Sequence, residues 1–162
     1  MPIYIGAPFD GSWKRHHETG PGDLTYYPPH IGGDMQPLPG QLPYLRFIGT
    51  DDGRPLKAKV VLVAQRPSGG FVWLSPLAPY TLRPLCTIEY LHLEPGSTGL
   101  LKGATIDSGT IIGVLGKGPY KNWTAPNCHI ELRYAGVILW WDAREGKAGL
   151  KWPGDYIIEG VL

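Results

Sequence analysis

Turn residues interrupt this chain at short intervals, and that spacing is the strongest limit on what it can fold into. Glycine occurs 23 times and proline 17 times, about a quarter of the 162 residues together. This share lies near the compositional border with disorder, but six Trp, nine Tyr and a hydrophobic fraction of 43% indicate a packed core. No stretch shows sustained helical periodicity, so we predict an all-β fold of short strands joined by many loops.

The length and the turn signals predict how the chain is divided. At 162 residues it fits one domain, 1–162, which can bury about two thirds of its unfolded surface. Proline, glycine and aromatic residues crowd the first stretch, so we expect an irregular N-terminal segment at 1–29, a core at 30–136 and C-terminal strands at 137–162. Short apolar runs predict the strands 57–64, 71–74, 86–93, 110–115, 128–134, 137–141 and 155–162, with a turn at Gly69-Gly70.

Charge, hydropathy and cysteine content limit the partners and the compartment. A formal net charge of +1 gives no field that would attract nucleic acid or an acidic membrane. No window approaches the ~20 apolar residues of a membrane span, so we expect neither a nucleic-acid nor a membrane partner. The N-terminus lacks a basic segment followed by an apolar stretch, which predicts no secretory signal. Cys86 and Cys128 lie far apart in sequence, and whether they pair is left open by their spacing.

His30 and Asp34 form the first candidate pair. The segment His30-Ile31-Gly32-Gly33-Asp34 places an imidazole and a carboxylate four residues apart. Its glycines argue against a helix, whereas in an extended segment residues i and i+4 share a face and the glycines let the backbone bend. By itself such a pair is usually a surface hydrogen bond, and the alternative is a metal site.

Two later segments carry the other candidate histidines. The segment 127–133 alternates as a strand does, which predicts one polar face and one apolar face. The polar face holds Asn127, His129 and Glu131, and the apolar face holds Cys128, Ile130 and Leu132. In the segment 90–93 the same alternation puts Tyr90 and His92 on one face. Taken alone, each histidine is more often a structural residue of an amphipathic strand than a functional one.

The order of these segments resembles a known family. A His-x-Gly-x-Asp motif comes early, a Tyr-x-His-Leu segment at mid-chain, and a histidine-containing strand ending in Glu-Leu-Arg-x-x-Gly late. A glycine-rich loop and strand, from Gly103 to Gly116, lies between the last two. Together they resemble the lysostaphin-like (LytM-type) zinc endopeptidases, which cut peptide bonds in bacterial cell walls. The resemblance runs from about His30 to Gly136, and 103–136 is its most specific part.

The resemblance implies a compact antiparallel sheet domain with long N-terminal loops and a zinc ion held by His30, Asp34 and His129. Two histidines and one carboxylate leave a fourth coordination position for water, as in catalytic zinc sites. His92 would stabilise the oxyanion or handle a proton. Asn127 stands where the family has the first histidine of a His-x-His motif, and an amide cannot take a proton at neutral pH.

Two functions from different classes follow from the resemblance. The first is a zinc endopeptidase that cleaves peptidoglycan peptides, in which Glu131, His16 or His17 would have to replace the base that Asn127 cannot supply. The second is a structural protein of a phage tail tip that keeps the fold and has lost hydrolysis. A wall peptidase without a secretory signal suggests a phage protein, carried in the virion tail or released from the host cytoplasm at lysis. The expected partners are bacterial peptidoglycan and other phage tail proteins.

Overall fold

The computed structural model describes residues 3–5, 8–9, 13–18, 33–37, 40, 42–51, 53–116, 127–134, 137–139 and 156–158. Strands and the turns between them make up this part of the chain, and none of it is helical. It therefore holds no helix long and apolar enough to span a membrane. Short β-branched and aromatic runs between glycine and proline turns favour strands, as the sequence predicts.

Fourteen strands lie in the described residues, and every strand pairing among them is antiparallel. The prediction of an all-β antiparallel fold is confirmed. In chain order the strands are β1 (Ile3–Ile5), β2 (Trp13–Glu18), β3 (Gly33–Pro37), β4 (Tyr44–Arg46), β5 (Gly49–Asp51), β6 (Arg54–Pro55), β7 (Lys57–Arg66), β8 (Gly69–Pro76), β9 (Thr87–Leu93), β10 (Thr105–Asp107), β11 (Ile111–Val114), β12 (Cys128–Tyr134), β13 (Val137–Leu139) and β14 (Tyr156–Ile158).

One large sheet carries most of these strands. Their order is β10-β7-β8-β9-β12-β3-β2, and β13 pairs with the part of β12 that extends beyond β3. A four-stranded sheet has the order β14-β1-β5-β6, and β11 pairs with β4. Since β3 comes early in the chain and β12 late, their pairing puts Asp34, the last residue of the early motif, on the strand next to the one that carries His129.

The core is formed by one face of the large sheet together with residues of the smaller sheets. Val72, Tyr90 and Ile130 lie side by side on β8, β9 and β12, and each is at most 1% exposed. Leu45 and Ile112, from β4 and β11, are fully buried in the same cluster. This packing fixes which face of the large sheet is apolar, and so leaves the opposite face for polar side chains.

Both cysteines lie in this core as free thiols, so the pairing that their spacing left open does not occur. Burial raises the pKa of Cys86 to about 12. Burial also raises the pKa of Cys128 well above its usual value, with the Asp34 carboxylate acting in the same direction. These are therefore neutral core residues rather than reactive thiols.

Most local predictions agree with the structure, and two do not. Each of the seven predicted strands overlaps an observed one, namely β7, β8, β9, β11, β12, β13 and β14. The stretch 1–29 is not wholly irregular, because β1 pairs with β5 and β14, and β2 pairs with β3. These pairings depend on distant strands, which local composition does not reveal. The turn between β7 and β8 falls at Pro67-Ser68 rather than at Gly69-Gly70, because Arg66 already pairs with Gly69.

Candidate functional site

The residues of the late motif lie on β12, in the interior of the large sheet. β12 is flanked by β9 and β3, and His129 lies opposite Asp34 in the register with β3. Alternation along β12 sends Cys128 and Ile130 into the core. His129 and Glu131 therefore lie on the other face, and the predicted division of the strand is confirmed for these four residues.

His129 is held between two carboxylates. Its Nδ1 lies 2.9 Å from Asp34 Oδ1, and its Nε2 lies 3.0 Å from Glu131 Oε1. All three residues are buried, at 9% exposed or less. Because an ionised carboxylate only accepts hydrogen bonds, both ring nitrogens donate, and the ring is an imidazolium. Burial lowers the pKa of His129, but the hydrogen bonds with Asp34 and Glu131 outweigh that effect and raise the pKa to about 9.

His92 is the extra residue of a β-bulge on β9. Gly70 pairs with Leu93 and the next residue, Phe71, pairs with Leu91, so His92 has no opposite residue on β8. Its backbone lies in the left-handed region, with φ 71°. A non-glycine residue is uncommon there, and such strained positions cluster at functional sites.

The bulge decides which way the His92 side chain faces. Strict alternation would put His92 on one face with Tyr90, but Tyr90 packs in the core while the His92 ring lies 6.2 Å from the His129 ring. The expectation that Tyr90 and His92 share a face is therefore wrong. His92 Nδ1 lies 2.7 Å from the carbonyl oxygen of Ser68. Since a carbonyl only accepts, Nδ1 carries the proton in the neutral ring, and Nε2 is the nitrogen that can gain one.

Two glycines let the backbone close around His92. The Gly116 N–H donates to the His92 carbonyl oxygen at 2.8 Å, and a Cβ at Gly116 would lie 3.0 Å from that oxygen. Gly69 has φ +124°, and a Cβ there would lie 3.1 Å from the His92 Cα. A larger residue at either position would displace the backbone of the histidine. The first residue of β8 and the glycine-rich loop therefore hold His92 in place.

Asn127 directly precedes β12 and is 1% exposed. Its Oδ1 is buried and has no hydrogen-bond partner among the described residues. By the strand alternation it belongs to the same face as His129. An amide oxygen accepts a hydrogen bond but cannot take up a proton at neutral pH.

A second buried charge lies on the same face of the sheet. Glu89 is opposite Glu131 in the register between β9 and β12, and it is 0% exposed. Arg66 donates to both of its carboxylate oxygens, at 2.7 and 2.9 Å, and the Trp73 Nε1–H donates to one of them. The guanidinium also lies over the Phe71 ring, 4.2 Å from its centroid. These contacts neutralise Glu89 beside the site.

The contact between Asp34 and His129 tests whether the predicted zinc ligands fit this fold. Their nearest atoms are 2.9 Å apart. Two ligands of a tetrahedral zinc ion, each bound at about 2.0–2.2 Å, lie roughly 3.3 Å apart. A cation can therefore replace the Nδ1 proton with little movement of either side chain, and the pair fits a zinc site.

His30, the third predicted ligand, lies outside the described residues. Among the residues that are described, no three His, Cys, Asp or Glu side chains converge on one ion. For His16 and His17 the structure describes only the backbone, as part of β2. His17 is opposite Asp34 in the register between β2 and β3. The predicted ligand set of His30, Asp34 and His129 therefore stays a prediction, of which two members are adjacent.

Two contacts of the site were not assigned from the sequence. The sequence makes Glu131 a candidate base but does not say where it lies. In the structure its carboxylate is within hydrogen-bond distance of the His129 ring nitrogen Nε2. Strand alternation already places Glu131 on the same face as His129, so the sequence pattern could have predicted this contact. No sequence pattern predicts the contact between the Ser68 carbonyl and His92, because it depends on where the hairpin turn falls.

No protein-family model matches this sequence, and no curated protein matches it. Solved structures do match. A zinc-containing peptidase from Vibrio cholerae aligns with a TM-score of 0.59 at 18% identity, over 85% of this chain and 39% of that one. The catalytic domain of the prophage-encoded M23 protein EnpA from Enterococcus faecalis, a mutant form, aligns with a TM-score of 0.54 at 20% identity, over 82% of this chain and 92% of that one. A chain of the SpoIIQ–SpoIIIAH pore-forming complex aligns with a TM-score of 0.58 at 15% identity, over 91% of this chain and 98% of that one.

These similarities concern the fold, because all three identities lie at 20% or below. The chain has the fold of the M23 and lysostaphin-like peptidases, as its motifs predict. It spans 39% of the Vibrio cholerae peptidase. The same fold also occurs in a pore-forming protein complex.

Proposed function

We propose that this chain is a zinc-dependent endopeptidase that cleaves peptide bonds of bacterial peptidoglycan. The observation that carries the proposal is the buried contact between Asp34 Oδ1 and His129 Nδ1, 2.9 Å apart. It joins two of the residues that the family resemblance implies as zinc ligands, and it lies in a fold shared with a zinc-containing peptidase. The His92 ring stands 6.2 Å from the His129 ring, within reach of a substrate bound between them.

His30, Asp34 and His129 are the residues that would hold the metal. A zinc ion bound there would polarise the scissile carbonyl and would lower the pKa of its bound water to about 7. Asp34 and His129 supply one oxygen and one nitrogen from adjacent strands, so the large sheet fixes their separation. A donor set of two imidazoles and one carboxylate suits zinc and leaves a position for water.

His92 would carry the proton chemistry on the substrate side. The Ser68 carbonyl holds its Nδ1–H, so Nε2 is the ring nitrogen that takes up or returns a proton. In its protonated form the ring also donates a hydrogen bond to an oxygen that gains negative charge. The strained backbone and the close-packed glycines limit the positions that this ring can adopt.

Asn127 would orient water rather than take its proton. Its buried Oδ1 can accept a hydrogen bond but not a proton at neutral pH. The loss of general-base help typically costs about 10²–10⁴ in rate. We therefore expect a slow peptidase, and a faster one when an imidazole stands at this position.

The test measures peptide release from purified peptidoglycan by the zinc-loaded protein. Release should stop with a chelator and with His129→Ala, which removes a ligand. Asn127→His should raise the rate by about 10²–10⁴. Asn127→Ala is its control, because it removes the amide without adding an imidazole. If protein with one zinc per chain releases no more peptide than the chelated sample, before and after Asn127→His, the enzyme proposal is wrong.

We also propose that the protein is encoded by a phage. The match to a prophage-encoded catalytic domain supports it, since that domain is covered over 92% of its length. The protein would then reach the cell wall either in the virion tail, beside other tail proteins, or by release at host lysis. Mass spectrometry of purified virions distinguishes the two routes, because only a tail protein is present in them.

The second candidate is a structural role on the same fold. Asn127 favours it, because the position lacks a group that can act as a base. The fold's occurrence in a pore-forming complex also favours it. A structural protein would be found in tails and would stay inert in the peptide-release assay after Asn127→His.

A further inference from the structure

The two ring nitrogens of His129 face different carboxylates. Nδ1 faces Asp34, which the proposed zinc site uses as a ligand, and Nε2 faces Glu131 at 3.0 Å. Glu131 follows His129 by two residues on β12, so both side chains stand on the same face of the sheet. Glu131 is 9% exposed, so little water reaches this contact.

We propose that Glu131 is a positioning residue, which accepts the Nε2–H hydrogen bond and so fixes His129 in the tautomer whose Nδ1 binds the metal beside Asp34. The proposal rests on the zinc site of the proposed function. Metal-binding histidines generally donate their second ring N–H to a carboxylate or carbonyl oxygen, and that partner sets the ring orientation. Here that partner, Glu131, comes from the same strand, β12, as the histidine.

Geometry separates this role from that of a further ligand. Glu131 Oε1 contacts the ring nitrogen that points away from Asp34, so the two carboxylates lie at opposite edges of one imidazole. An ion between Asp34 and Nδ1 is therefore beyond the reach of the same Glu131 oxygen. The carboxylate acts on the metal through the ring.

The Glu89 network explains why the Glu131 carboxylate can stay beside another acid. Glu89 and Glu131 are directly opposite on β9 and β12, where like charges destabilise a sheet. Arg66 and Trp73 together donate to both oxygens of Glu89, so the Glu89 charge is compensated. The Glu131 carboxylate is then available to the His129 ring.

The experiment measures zinc affinity by competition with a chromophoric chelator, on the full chain. Glu131→Ala should weaken zinc binding by about 10–100-fold, the usual cost of losing such a partner. Glu131→Gln should lose less, because its amide oxygen still accepts from Nε2–H. Glu94→Gln is the matched control, an exposed glutamate outside the site, and should bind as the parent does. Equal affinity of the Glu131→Ala variant and the parent would overturn the proposal.

Nitrogen-15 NMR of the zinc-loaded parent gives a second readout that needs no variant. We expect the shifts of a metal-bound Nδ1 and a protonated Nε2 in His129, and a metal-bound Nε2 would overturn the proposal even if Glu131→Ala fails to fold. The outcomes separate the two claims. A parent that binds no zinc refutes the proposed function, whereas a parent that binds zinc equally well without Glu131 refutes only the positioning role.

Discussion

Two ion pairs of nearly equal length allow the effect of burial on a charge contact to be measured within one molecule. Arg66 and Glu89 are 2.7 Å apart, and the Glu89 side chain is 0% exposed. Lys57 and Asp107 are 2.6 Å apart, and their side chains are 54% and 72% exposed. We expect Arg66→Ala to destabilise the protein much more than Lys57→Ala does.

The magnitudes follow from what each substitution leaves behind. Arg66→Ala removes two hydrogen bonds from a fully buried carboxylate and leaves Trp73 as its donor among the residues that the structure describes. Breaking a buried pair costs about 3–5 kcal/mol. The Arg66 side chain is 36% exposed, so we expect about 3 kcal/mol, the lower end of that range. An exposed pair is worth at most about 1 kcal/mol, so Lys57→Ala should cost no more than that.

Urea unfolding followed by circular dichroism measures both values, and thermal unfolding checks them. For a chain of this size, about 3 kcal/mol corresponds to a fall in Tm of roughly 6–12 °C. Adding Glu89→Leu to Arg66→Ala should recover part of the loss, because no charge is then left buried. If Arg66→Ala costs no more than Lys57→Ala, the buried network does not carry the energy that its geometry implies.

Three further substitutions or reactions test other contacts. Tyr90→Phe should raise the unfolding free energy by about 1 kcal/mol, because the buried Tyr90 hydroxyl has no partner among the described residues; a loss of that size in urea unfolding would reveal a partner. Gly69→Ala should cost about 1–3 kcal/mol and shift the NMR signals of His92, and it should cost more than Gly96→Ala, where φ is also positive, at +75°, but open space surrounds the residue. Cys86, whose pKa burial raises to about 12, stays a thiol at pH 8, so iodoacetamide should modify it far more slowly in the folded protein than in urea, as mass spectrometry would show.

The strands and one face of the site were predictable because they depend on local alternation. The bounds of β12 agree with the predicted strand 128–134, and its apolar residues Cys128 and Ile130 enter the core as expected. Alternation also places His129 and Glu131 together. The sequence pattern therefore locates the polar face without any knowledge of the neighbouring strands.

The rest of the site depends on contacts between distant residues, which no local pattern contains. His92 faces the site because it is the extra residue of the bulge on β9. The pairing of β9 with β8 along their whole length sets where that bulge falls. Its partner, the Ser68 carbonyl, lies in a turn whose position was predicted two residues too late. β1 and β2 were missed for the same reason, since their partners β5, β14 and β3 lie elsewhere in the chain.

A proton and a divalent cation would use the same donors at His129. The imidazolium donates from Nδ1 to Asp34 and from Nε2 to Glu131. A zinc ion in the proposed site would take the place of the Nδ1 proton, because its ligands lie roughly 3.3 Å apart and the Asp34 and His129 atoms lie 2.9 Å apart. The hydrogen bond from Nε2 to Glu131 would remain, since Nε2 is the ring nitrogen that points away from Asp34. Metal binding at this pair would therefore exchange one proton for one metal ion.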